Sequence, residues 1–153
     1  MNAPMRIANT NSRMKVDTSM LADRSSNEDF RDLVMTKLKG WLADPQNRPL
    51  GDQILVATYV QPRRTAGGIL LPDKSVDEDR WQGKVGLLLK KGSNAFKFIN
   101  GGYKYPEEDV PEIGDYVVYS TSDTREIGVL GLSCRYVDYW LVRGTVSDPG
   151  SIY

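Results

Sequence analysis

The densest groups of titratable side chains in the sequence are two acidic runs, Asp77-Glu78-Asp79 and Glu107-Glu108-Asp109 followed by Glu112. Clustered carboxylates are the usual material of acid–base chemistry and of calcium loops. Neither run has the glycine-punctuated spacing of a calcium site, and both read as solvated loop charge. The sequence has no histidine, which removes the commonest general base and the commonest metal ligand together. Its single cysteine, Cys134, lies in an apolar stretch with nothing to activate it and reads as a small buried hydrophobe. No Cys-x-x-Cys, phosphate-binding loop or Gly-x-Gly-x-x-Gly pattern occurs. No catalytic residue, metal ligand or cofactor is therefore expected, and no carboxylate pair has the context of a hydrolase.

Charge excludes further classes. Lys plus Arg and Asp plus Glu both number 20, and a zero balance is poor material for displacing counterions from phosphates, so no nucleic-acid partner is expected. Arg63-Arg64 is too short a basic run to define a site. Trp81 and Trp140 lack interleaved cations and read as core or interface aromatics rather than stacking platforms. No apolar run approaches the ~20 residues of a membrane span, and the N-terminus has no continuous apolar segment of a secretory signal. A length of 153 residues is that of one ordinary domain.

What the residue types favour is recognition of other protein chains. Thr65-Ala66-Gly67-Gly68-Ile69-Leu70-Leu71-Pro72 sets three consecutive aliphatics behind a glycine pair, inside a polar excursion. The glycines open conformations closed to other residues, and exposed aliphatics call for a partner's groove. The same side chains can instead tuck under the chain's own strands. A second apolar surface comes from Phe30, Leu33, Val34, Leu38 and Trp41 at helical spacing. Ser25-Ser26-Asn27-Glu28 predicts a capping box ahead of it, and Pro45 ends it. That face packs either on the body of the chain or on a neighbouring subunit, with Trp41 as an anchor.

The elements that must carry these surfaces follow from the rest of the pattern. Residues 1–24 are polar and aperiodic, an extended arm, and residues 25–44 are the amphipathic helix. Residues 48–147 are rich in β-branched and aromatic runs between Gly and Pro clusters, which predicts an all-β barrel, and residues 148–153 are a tail. Strands are predicted over 53–60, 84–89, 116–120, 126–132 and 136–146, the last interrupted at Gly144. In the first, Ile54, Val56, Thr58 and Val60 share a face. Two connections, 61–83 and 91–113, are long for a compact domain, as functional loops are.

Gly51-Asp52-Gln53-Ile54-Leu55-Val56, the Gly-Gly-aliphatic segment, Gly83-Lys84-Val85 and Ile113-Gly114-Asp115-Tyr116-Val117-Val118-Tyr119 together resemble the GroES co-chaperonin family over residues 50–146. The resemblance implies a GroES-like irregular β-barrel. It also implies that Gly67, Gly68, Ile69, Leu70 and Leu71 form the loop that docks on a chaperonin ring. The chain departs from the family in the residues before Gly51, in its tail, and in a second loop enriched in aromatics (Phe96, Phe98, Tyr103, Tyr105). Such extended chains resemble head-associated or connector proteins of tailed bacteriophages. The expectation is thus a non-enzymatic, oligomeric assembly protein of a virion, binding capsid or connector subunits. The alternative is a cytoplasmic co-chaperonin that caps a chaperonin ring.

Overall fold

The computed structural model describes residues 16–17, 19–25, 28–62, 84–99, 101–121 and 124–152. Six strands form one antiparallel sheet: β1 (Gln53–Thr58), β2 (Val85–Lys91), β3 (Tyr116–Tyr119), β4 (Arg125–Val129), β5 (Leu132–Asp138) and β6 (Val142–Val146). Their hydrogen-bonded order is β4-β5-β1-β2-β3-β6. β5 and β6 lie four places apart in that order, yet only the 3₁₀ turn Tyr139–Leu141 joins them. Four strand spacings in a flat sheet come to about 19 Å, whereas four Cα steps reach about 14 Å at most. The sheet therefore curls on itself, and the all-β, GroES-like barrel expected from the sequence is what the chain forms.

Two of the predicted strands are divided differently in the structure. The run 126–132 is not one strand. It turns at Leu130 and Gly131, whose φ angles of 49° and 87° make a two-residue hairpin between β4 and β5. The run 136–146 breaks at Tyr139–Leu141 rather than at Gly144, which lies inside β6. Neither break carries a Pro, and the first central position of the hairpin turn is held by an aliphatic residue, so Gly131 alone signals that turn.

Two helices precede the sheet, α1 (Ser19–Ala22) and α2 (Phe30–Ala43). The capping box predicted at Ser25 is not formed. Asp29 is the N-cap, its Oδ1 accepting from the Arg31 amide at 2.9 Å. Ser25 instead accepts the Glu28 amide through its backbone carbonyl, at 3.1 Å. The aperiodic arm predicted over 1–24 also yields in part: α1 buries Leu21 and Ala22, which join the core.

The core lies on both faces of the sheet. A cluster that contains helix residues must be outside the barrel. There Phe30, Val34 and Leu38 pack with Leu55, Ala57, Val85, Leu87 and Cys134. The inner cluster is Ile54, Val56, Leu88, Val117, Tyr119 and Val137, closed by Ala95 and Phe96 with Tyr105 and Tyr139 against them. β1 is consequently buried on both faces. Ile54 and Val56 share the inner cluster as predicted, but Val60 belongs to the outer one, because the strand ends at Thr58 and the alternation lapses.

Candidate protein-docking site

The connection between β1 and β2 starts from a braced base. β1 and β2 pair antiparallel up to Thr58 opposite Gly86. Beyond the strand the Tyr59 amide donates to the Val85 carbonyl at 3.0 Å, and the Tyr119 amide donates to the Lys84 carbonyl at 2.9 Å. Both ends of the connection are thus tied to the sheet. The segment predicted to dock, Gly67, Gly68, Ile69, Leu70 and Leu71, lies outside the described residues, as do Arg63, Arg64, Trp81 and the acidic run at 77–79.

Aromatic and cationic groups from four elements converge beside that base. Phe30 meets Tyr59 edge-on with centroids 5.0 Å apart, and Tyr59 meets Tyr116 at 6.2 Å. Arg24 stacks over Phe30 and Tyr59, and Arg31 over Tyr116 at 4.9 Å. Burial pushes the Tyr116 phenol up to about 12, Asp29 adding to the shift and Arg31 opposing it. The guanidinium of Arg24 donates to the Leu21 carbonyl at 2.6 Å, to the Val60 carbonyl at 2.7 Å and to the Tyr59 hydroxyl at 3.3 Å. Arg24 carries no marker in the sequence. Its partners are up to 36 residues away, so no local pattern exposes it.

The helical face predicted to bind a partner is already occupied. Phe30, Val34 and Leu38 are buried, and Leu33 and Trp41 are packed against the same outer cluster. The apolar stripe therefore meets the chain's own sheet, the first of the two fates open to it, with Leu33 and Trp41 left half-buried. The physical reason is the all-apolar outer face of β1 and β2, which needs a cover.

The chemistry-bearing residues assemble no reactive centre among the described residues. Cys134 is fully buried, and burial raises its thiol to about 12, with Glu126 adding to the shift. Glu107, Glu108 and Asp109 form an exposed 3₁₀ turn in which Glu107 pairs with Lys104 at 3.4 Å. No group of three potential metal ligands lies together among the described residues. Inside the barrel, Ser133 Oγ donates to Glu126 Oε2 at 2.7 Å and lies 3.1 Å from Thr58 Oγ1, and Arg135 Nη1 donates to Thr124 Oγ1 at 3.0 Å. These polar groups alternate with apolar ones along β4 and β5, a period-two signal present in the sequence. They cross-link neighbouring strands within the barrel. No helix among the described residues is long and apolar enough to cross a membrane.

One further surface emerges from the second long connection. Its aromatics divide between two faces about the bridge Phe98–Lys104, in a segment where Phe96 takes a left-handed φ of 59°. Phe96 and Tyr105 turn into the inner core, whereas Phe98 and Tyr103 are exposed, along with Ile99 and Trp140. The Tyr139 hydroxyl donates to the Phe98 carbonyl, and Trp140 lies edge-on to Tyr139 at 5.4 Å. The aromatic richness was readable, but its division between two faces was not, because residues two apart would share a face in a regular strand and here they do not.

Comparison with known proteins places this geometry. The family described as Chaperonin 10 Kd subunit matches residues 46–138. The match runs from just before β1 to the end of β5 and includes the connection 61–83. Co-chaperonin GroES of Fervidobacterium nodosum is 28% identical over 82 residues, which cover 54% of this chain and 75% of that protein. α1 and α2 precede the family match and β6 follows it. Of the two functional expectations, these findings favour the co-chaperonin over the virion protein.

Proposed function

The chain belongs to the Chaperonin 10 Kd subunit family, and from that premise we propose that it is a non-catalytic co-chaperonin which assembles with copies of itself and docks on a chaperonin ring. Docking uses Gly67, Gly68, Ile69, Leu70 and Leu71, the residues that match the family's chaperonin-binding loop. The observation that carries this reading is the braced base of the 61–83 connection. A rigid two-strand ladder fixes both ends of the connection whose sequence holds the Gly-Gly-aliphatic segment. Each loop alone buries little surface and loses entropy on ordering, so single contacts are weak. Several loops on one oligomer multiply them. Such a protein works in the cytoplasm beside its chaperonin. The virion role loses its main structural argument, because α2, the principal element ahead of the barrel, covers the chain's own sheet.

The test pairs native mass spectrometry with chaperonin ATPase measurements. The wild-type chain is expected to form a closed ring and to lower the ATPase rate of a purified chaperonin. Ile69→Asp is expected to weaken that inhibition about tenfold or more, the scale of placing a carboxylate in an apolar groove, with unchanged far-ultraviolet circular dichroism. A monomer without effect on the ATPase, or an Ile69→Asp chain that inhibits as well as the wild type, overturns the proposal.

A further inference from the structure

Arg24 is 4% exposed, and it joins three stretches of chain that the sheet's own hydrogen bonds leave separate. Nη1 reaches the Leu21 carbonyl at the end of α1 and the Val60 carbonyl just beyond β1, at 2.6 and 2.7 Å. Nη2 reaches the Tyr59 hydroxyl at 3.3 Å. The flat of the guanidinium lies 5.2 Å from the Phe30 centroid at the start of α2 and 5.5 Å from that of Tyr59. Burying a cation is costly unless it is hydrogen-bonded; here Nη1, Nη2 and the ring-stacked face are satisfied, while Nε has no hydrogen-bond partner. Arginine suits this role because its planar fork donates in divergent directions while stacking on aromatic rings. Burial lowers its pKa and Tyr59 opposes the shift, yet the group stays charged at neutral pH.

We propose that Arg24 is a positioning residue that locks the departure point of the 61–83 connection to the N-terminal helices, so that α1 and α2 act as a brace on the base of that connection. The location supports a brace rather than simple packing. Val60 is the last residue before the 61–83 connection, and the carbonyl that Arg24 holds belongs to Val60. Both helices lie outside the family match, so the brace is an addition to the shared barrel. A fixed departure point reduces the conformational freedom lost when the loop is captured, which lowers the dissociation rate more than it raises the association rate. This consequence rests on the co-chaperonin reading, whereas the brace itself does not.

Hydrogen–deuterium exchange on the full free chain tests the brace directly, with wild type, Arg24→Lys and Tyr59→Phe compared. Lysine keeps the charge but cannot hold both carbonyls and stack. In Arg24→Lys, exchange at the amides of residues 19–24 and 59–61 is expected to speed up together by about tenfold, as for loss of a charge-assisted hydrogen bond, while the β1–β5 ladder stays protected. Tyr59→Phe removes only the 3.3 Å contact and is expected to give a smaller change at the same two places. Faster exchange at 19–24 with 59–61 unchanged overturns the proposal. So does faster exchange across the whole sheet in Tyr59→Phe. Dissociation from a chaperonin ring is expected to be several-fold faster for Arg24→Lys, with the melting temperature within a few degrees of wild type. A coupled exchange change in a chain that binds no chaperonin retains the brace and discards the co-chaperonin reading. Normal binding with uncoupled exchange does the reverse.

Discussion

Leu130 sits at the first central position of the β4–β5 hairpin with φ of 49°, and its side chain is 54% exposed. For a residue with a Cβ, the left-handed region costs about 1–2 kcal/mol. Little apolar burial offsets that strain here. A type I′ turn favours Asn followed by Gly, and Gly131, with φ of 87°, already supplies the second residue. Leu130→Asn is therefore expected to stabilise the chain by about 1 kcal/mol, raising the melting temperature by about 2–4 °C. Differential scanning calorimetry reads the shift. A lower melting temperature would mean that Leu130 contributes contacts greater than its strain. The same residue explains why the hairpin was hidden from sequence reasoning, since an aliphatic at this position makes 126–132 look like one continuous strand.

At the scale of the element, the start of α2 distinguishes local signal from tertiary choice. Ser25 and Asp29 are both good capping residue types, and Glu28 makes the Ser25 pattern the fuller motif. The helix nevertheless begins after Asp29. Phe30 is fixed by its contacts with Tyr59 and Tyr116, at 5.0 and 6.3 Å, and Arg24, just ahead, is fixed by the Val60 carbonyl. The chain between must leave the helical path to satisfy both. Asp29→Ala is expected to destabilise the protein by about 1 kcal/mol. Ser25→Ala is expected to change it by less than about 0.5 kcal/mol, as exposed sites away from caps do. Urea denaturation of the two variants decides the matter, and the reverse order would restore the capping box. The helical period and the apolar stripe were legible because they are local. What the stripe covers was not, because that depends on the outer face of β1 and β2. The Gly-Gly-aliphatic segment was likewise legible as a motif, and the Arg24 brace beside it was not, since it is made wholly of contacts distant in sequence.

The molecule as a whole is a barrel whose first strand has no solvent face, and this decides what the N-terminal elements do. Leu55 and Ala57 point outward from β1, Leu87 and Leu89 from β2, and Cys134 from β5, and all are buried. Their cover is α1 and α2, with Leu21, Phe30, Val34 and Leu38 each no more than 3% exposed. Fully burying three such α2 side chains contributes roughly 5–9 kcal/mol. That is comparable to the entire stability of an ordinary domain, about 5–15 kcal/mol. The helices are thus part of the folding unit, although the family match begins after them. A chain lacking residues 1–44 is expected to lose cooperative thermal unfolding and to bind the dye 1-anilinonaphthalene-8-sulfonate through its uncovered sheet. A chain lacking residues 1–15 keeps both helices and is expected to unfold as the full chain does. If the shorter chain melted cooperatively near the wild-type temperature, the barrel would be self-sufficient. α2 would then be free to serve a neighbouring subunit, and the face formed by Phe30, Leu33, Val34, Leu38 and Trp41 would return as a docking surface.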